Sequence, residues 1–178
     1  VVLILRAVLA GRPFLEALTI FFGQTDDFGA LNLNAPNPYL FFPDAWYKPV
    51  LYIGLASTAL LALAWAIVYA RRIKTLTPEI MLMCAVVSAV MMPFFLPKMH
   101  ERYFYLADVL LLILALTLPR LWFVPLIAQV VSSLTYSAYL FVPPLPDLSR
   151  ITTEPSLVVP AALINSLLVV FLLREQYR

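Results

Sequence analysis

The chain is short of the residues that build most soluble active sites. One cysteine in 178 residues, Cys84, excludes an intrachain disulfide and any multi-cysteine metal centre. Set in an apolar run, it reads as a small core residue. Four glycines make a phosphate-cradling glycine loop hard to build. Charge is scarce as well: 12% of residues are charged, and twelve Lys/Arg against ten Asp/Glu leave a net charge of +2, too balanced to suggest a nucleic-acid partner. What fills the chain is apolar surface, 63% of residues, with a mean hydropathy of +0.92. Soluble domains run nearer ~45–50% apolar and ~25% charged, so the composition excludes an ordinary soluble domain and implies a bilayer. The five apolar residues 1–5 have no basic stretch before them and no longer apolar core around them, so they are not a signal peptide. They read as the end of a span in a chain that continues upstream.

A bilayer core of ~30 Å needs ~20 apolar helical residues. Five stretches approach this: 50–70, 80–96, 103–118, 121–142 and 156–173. The first is uninterrupted by charge and runs into Arg71, Arg72 and Lys74. Before the second, Thr77 can cap, Pro78 suits the first turn and Glu79 faces the positive helix end. Only Pro119 and Arg120 join the third and fourth, which makes them antiparallel neighbours. The fold expected is an all-α, polytopic transmembrane helical bundle of about five spans. Residues 50–178 form the bundle; residues 1–49 hold the span end, an interfacial helix at 13–22 and an external loop at 23–49. That loop carries Asn32, Asn34, Asn37 and Pro36, Pro38, Pro43 and Pro49, which forbid a continuous helix. Its aromatics, Tyr39, Phe41, Phe42, Trp46 and Tyr47, suit the bilayer interface. Arg71, Arg72, Lys74, Arg120, Arg174 and Arg178 fall on one side and Lys48, Lys98, Arg102 and Arg150 on the other, so the positive-inside bias puts the loops at 97–102 and 143–155 outside a cytoplasmic membrane.

Polar chemistry concentrates at 98–108. Lys98, His100, Glu101 and Arg102 occupy a turn of about five residues between two spans, and His100 is the single histidine. Two readings stand. Snorkelling charges can anchor helix ends in headgroups. Alternatively, Lys98, His100 and Arg102 bind a phosphate or pyrophosphate, Arg102 with a planar donor fork, while Glu101 orients them. If the helix starts at Glu101, then Glu101, Tyr105 and Asp108 share a face, and Asp108 lies ~10 Å deeper, either facing a cavity or hydrogen-bonded to Ser88 or Gln129. Gln129, Ser132, Ser133, Thr135, Asn165 and Ser166 read as interhelical contacts. Asp26 and Asp27 form an adjacent acid pair, open to a base or metal role or to plain solvation. Asp147, Arg150 and Glu154 read as solvated loop charges.

The run Phe95-Leu96-Pro97-Lys98-Met99-His100-Glu101-Arg102-Tyr103, ahead of an apolar span, resembles the late external loop of multi-pass glycosyltransferases of the GT-C superfamily. The likeness is to prokaryotic mannosyltransferases related to the second mannosyltransferase of glycosylphosphatidylinositol synthesis. Leu31-Asn32-Leu33-Asn34-Ala35-Pro36-Asn37-Pro38-Tyr39 is similar to their Asn-Ala-Pro-Asn loop. Glucosyltransferases of the lipid-linked oligosaccharide pathway have a His-Glu-Lys loop, where this chain has Arg102. The resemblance covers about residues 18–178 and implies the C-terminal part of an enzyme that moves a sugar from a polyprenyl-phosphate donor to a glycan, lipid or protein acceptor at the external face. It implies donor-phosphate contacts from Lys98, His100, Glu101 and Arg102, with Tyr103 and Tyr105 at the lipid-side entrance and Asn34, Asn37 and Asp108 as further pocket residues. The general base it implies lies in an upstream external loop, so no catalytic acid is assigned within these residues. The bilayer and the lipid-linked donor are the implied partners. A divalent metal is compatible with such a donor, but no residue cluster indicates one. A transporter, suggested by Asp108 and by Pro93, Pro125 and Pro160 within spans, is the rival reading, followed by a noncatalytic multi-pass scaffold subunit.

Overall fold

The computed structural model describes residues 8–15, 29–140 and 155–177. Two compact units divide the chain, Val1–Ala30 and Leu31–Arg178. Asp26, Asp27, Asp147, Arg150, Glu154 and most of the expected interfacial helix lie outside the described residues.

The unit from Leu31 is all-α apart from one very short ladder. Its helices are α1 (Tyr47–Arg72), α2 (Pro78–Phe95), α3 (Tyr105–Thr117), α4 (Phe123–Leu140) and α5 (Pro155–Glu175). The start of α2 follows from its sequence: Thr77 accepts the Ile80 N–H at 3.3 Å, Pro78 occupies the first turn and Glu79 follows it. Pro93 and Pro160 sit inside continuous helices, so neither breaks its span. A 3-10 turn, Pro119–Leu121, reverses the chain between α3 and α4, which pack against each other.

Valines and leucines from four helices make the core: Val86 and Val90 of α2, Leu111 and Leu114 of α3, Val124 of α4, and Leu172 of α5. Helix α1 stands at the edge, with 17% of its membrane-length window buried against 39% for α2 and for α5. Leu60, Met81, Leu116, Leu126 and Leu167, one from each helix, are exposed, as side chains facing lipid would be.

Among the described residues three helices are long and apolar enough to cross a membrane: Tyr47–Arg72, Pro78–Phe95 and Leu157–Glu175. Five were expected. Helix α3 has 13 residues, about 20 Å at ~1.5 Å per residue, and is too short for a ~30 Å core. Its residues 101–104 are taken by a 3-10 turn and its far end by Pro119.

Basic residues from distant sequence gather at one pole of this unit. Arg120 pairs with buried Glu175 at 3.0 Å, Arg72 lies 4.9 Å from the Tyr177 ring centre, and Trp65 Nε1 donates to Gln176 Oε1 at 2.8 Å. Lys98 lies at the other pole, beside the start of α1. Among the described residues, Arg72 and Arg120 of the one charge group and Lys98 of the other thus lie at opposite ends.

Candidate functional site

Residues 31–39 do not lie over a surface, as a proline-broken interfacial loop was expected to do. They form a strap packed into the end of the bundle, with Leu31, Asn34, Ala35, Pro36, Asn37 and Tyr39 all buried. The reason is the C-terminus of α2, whose last carbonyls have no helical partner. Asn37 Nδ2 donates to the Pro93 and Leu96 carbonyls at 3.3 Å each, and Tyr39 Oη donates to the Phe95 carbonyl at 2.7 Å. Thr58 of α1 donates to the same Phe95 carbonyl. Asn37 Oδ1 in turn accepts from Asn32 Nδ2 at 2.7 Å and from the Tyr39 N–H at 3.1 Å. Asn165 of α5 donates to the Pro36 carbonyl at 2.8 Å, and Asn34 Nδ2 to the Thr135 carbonyl of α4 at 3.2 Å. The strap thus binds α1, α2, α4 and α5 at one pole.

This strap meets the Lys98–Arg102 turn directly. Strands β1 (Asn32–Leu33) and β2 (Met99–His100) pair in parallel, Asn32 opposite Met99 and Leu33 opposite His100, and Asn34 bridges to His100. The Lys98 N–H donates to the Leu31 carbonyl at 2.7 Å. Two sequence motifs some sixty residues apart are therefore one structural unit, with Asn34 against His100.

Lys98 and Asn34 both take a left-handed backbone, with φ of 60° and 70°. Asparagine tolerates this conformation, whereas lysine pays roughly 1–2 kcal/mol for it. A residue held at such a cost points to a use for its side chain. The Lys98 ammonium donates to Tyr47 Oη at 2.8 Å and lies 5.4 Å from that ring's centre. Arg102 is exposed, its guanidinium carbon 5.9 Å from the centre of the Tyr103 ring; the His100 ring lies 6.0 Å from the same ring.

Glu101 and Asp108 are buried, at 7% and 9% exposure, but Tyr105 is 68% exposed and does not share their face. The 3-10 turn Glu101–Phe104 is the cause: three residues per turn bring Phe104, not Tyr105, over Glu101. Phe104, Ala107, Asp108, Leu111 and Leu114 then continue the inward face. Asp108 accepts from Ser132 Oγ of α4 at 2.6 Å, rather than from Ser88, which donates to the Cys84 carbonyl, or from exposed Gln129. Tyr103 and Tyr105 remain on the outside at 49% and 68% exposure. Asn37 is wholly enclosed and spends both ends of its amide on the fold.

Burial holds the His100 imidazole below its usual pKa, the Arg102 charge adds to this, and Glu101 opposes it. The ring is therefore neutral at pH 7, and the cations of the turn there are Lys98 and Arg102. The linkage sign follows: the stability that neutral His100 contributes is present above the unfolded value of ~6.5 and is lost as pH falls through the lower folded value. In an NMR titration the His100 midpoint should lie below 6.5. Arg102→Gln should raise it and Glu101→Gln should lower it further; the opposite order of the two variants would refute this electrostatic account.

An open apolar groove of about 820 Å³ runs between α1 and the end of α2, walled by Tyr39, Phe42, Trp46, Ile53, Leu61 and Phe95. Trp46 and Val50 of this wall flank Tyr47 in sequence, and Tyr47 holds Lys98. Gly54 forms part of the floor: a Cβ there would sit 2.5 Å from Tyr39 Oη. Comparison of the chain with protein-family models, with curated proteins and with solved structures finds no match. The functional reading therefore rests on the geometry and on the two motifs.

Sequence reasoning gave Asn32, Tyr39 and Tyr47 only a place in the loop, with no role in the site, and missed Gly54 and Thr58 as parts of this pole. Gly54 carried a signal, being the one glycine inside a 26-residue helix. Tyr47 and Thr58 carried none, because only the fold brings them to Lys98 and Phe95. Among the described residues no group of three His, Cys, Asp or Glu side chains could hold a metal ion.

Proposed function

We propose that this chain forms the C-terminal part of an integral-membrane glycosyltransferase, mannosyltransferase-like, that moves a sugar from a polyprenyl-phosphate donor to an acceptor at the pole carrying His100, on the external face of the cytoplasmic membrane. The observation that carries the reading is the pairing of the two motifs: the strap from Leu31 to Tyr39 fixes the Lys98–Arg102 turn beside an apolar groove. A phospholipid-like donor needs both features, an apolar seat for the chain and preplaced cations for the phosphate. At ~30 Å³ per methylene-sized group, taken as for a water molecule, the 820 Å³ groove holds on the order of 25 chain carbons, about five isoprene units.

The reaction is an inverting displacement. An acceptor hydroxyl attacks the anomeric carbon, the bond from that carbon to the phosphate oxygen breaks, and the phosphate leaves with the electron pair. Negative charge grows on the leaving group, and Lys98 and Arg102 offset it without having to reorganise. His100 donates a hydrogen bond to the phosphate, and Glu101 holds the turn from its buried side. Tyr103 and Tyr105 stand exposed on the outer side of the turn, Asn34 keeps His100 in register, and Asp108 secures α3 to α4 through Ser132. The base that takes the acceptor proton comes from another external loop of the enzyme.

The test is sugar transfer by the full-length enzyme from a radiolabelled polyprenyl-phosphate mannose. A hydrogen bond to a charged group contributes ~1.5–3 kcal/mol, so Lys98→Met should lower kcat/KM about tenfold to a hundredfold. Arg102→Ala and His100→Ala should each lower it by about tenfold or more. Unchanged transfer in Arg102→Ala and His100→Ala together would end the phosphate assignment.

A further inference from the structure

A second groove, of about 440 Å³, lies on the opposite flank of the α2 end, between α2 and α3. Its α2 side carries three small residues, Ala85 and, one turn further on, Ser88 and Ala89; Met92, Leu96 and Leu106 also line it. It runs from Ala85 to Leu96, about 16 Å along the helix, and reaches Met99 and Tyr103 at the polar turn. At ~30 Å³ per methylene-sized group the space holds on the order of 15 chain carbons, the size of one acyl chain. Small side chains on the α2 side leave room for a chain to lie against the helix.

The mouth of this trough is charged. Tyr103 forms its wall there, and the exposed Arg102 guanidinium lies 5.9 Å from the centre of that ring. The neighbouring Glu101 is turned inward at 7% exposure, so the outward charge at the mouth is positive. An exposed guanidinium offers a donor fork that matches a phosphate oxygen pair.

The geometry points to a lipid site distinct from the donor groove: one acyl chain of an anionic bilayer phospholipid lies in the α2–α3 trough with its phosphate on Arg102. This goes beyond the transferase reading and does not depend on it. The site shares Arg102 with the proposed donor phosphate and differs from it in the groove that seats the chain.

Native mass spectrometry of the protein released from nanodiscs of equimolar dioleoyl-phosphatidylglycerol and dioleoyl-phosphatidylcholine reads the site. The wild type should retain one phosphatidylglycerol with a preference of about fivefold, the size of one arginine acting on an anionic lipid. Arg102→Gln should keep a bound lipid but bring the preference to near unity. Ala89→Trp, which fills the trough, should remove the retained lipid, and Ser88→Leu repeats the test with a smaller side chain. Equal retention of the two lipids by the wild type, or retention untouched by both filling variants, overturns the proposal. Farnesyl phosphate keeps the two readings apart, because its chain belongs in the other groove and its binding should survive Ala89→Trp. If the wild type holds phosphatidylglycerol but not farnesyl phosphate, the donor reading fails and this one stands.

Discussion

Asn37→Ala is expected to destabilise the Leu31–Arg178 unit by about 3–5 kcal/mol, measured by denaturant unfolding in micelles against the wild type. The asparagine is fully buried and takes part in four hydrogen bonds, donating to the Pro93 and Leu96 carbonyls and accepting from Asn32 and the Tyr39 N–H. Each buried polar group left without a partner costs ~1–3 kcal/mol, and truncation strands several at once. The loss should spread to the ladder, because Asn37 fixes the strap whose residues 32–33 pair with 99–100. Amide exchange at Met99 and His100 should therefore accelerate in parallel. A loss below about 1 kcal/mol would mean that the strap is held by its apolar burial instead.

Gly54→Val should have the second largest effect, about 2–4 kcal/mol of stability together with a narrowed lipid groove. A Cβ at this position meets Tyr39 Oη at 2.5 Å and two ring carbons at 3.0 Å, closer than side chains pack. Tyr39 cannot simply swing away, because its hydroxyl is bonded to the Phe95 carbonyl and its ring lines the 820 Å³ groove. Displacing it takes one of the two donors, Tyr39 and Thr58, from the Phe95 carbonyl and moves the ring within the groove. The smaller Gly54→Ala carries its own control. Tyr39→Phe removes the nearest atom, so the double variant should lose less stability than the two single losses combined. Additive losses in this cycle would show that the glycine is needed for a reason other than Tyr39.

The helices were legible because their cause is local. Apolar runs bounded by Thr77-Pro78-Glu79, by Arg71-Arg72 and by Pro119 define where α1, α2 and α3 begin or end, and the structure places those boundaries close to the residues expected. The length of α3 was not, since a 3-10 turn removes residues 101–104 from it and leaves it at 13 residues. The same turn explains the misplaced Tyr105. A 3.6-residue period carried back to Glu101 put both on one face, and a three-residue period does not.

For the candidate site, the cluster at Lys98, His100, Glu101 and Arg102 stood out by composition alone: with Asp108 it holds four of the 22 charged residues and the single histidine within eleven positions. The two cations flanking His100 were legible there, whereas the burial that, with the Arg102 charge, holds the His100 pKa below its usual value was not. The Asn-Ala-Pro-Asn segment was read as a surface loop from its prolines. Prolines forbid helix, but they do not forbid burial; the carbonyls that make burial affordable for Asn37 belong to α2, nearly sixty residues away.

By itself the sequence determined that this chain carries helices apolar enough to cross a bilayer, where most of its helices lie and which few residues carry charge, because composition and period act along the chain. Only the tertiary structure decided that the two motifs are one unit, that Lys98 faces Tyr47, and that apolar grooves open on both flanks of the α2 end. Those are relations between surfaces and orphaned carbonyls far apart in sequence, and no local pattern records which partner satisfies them.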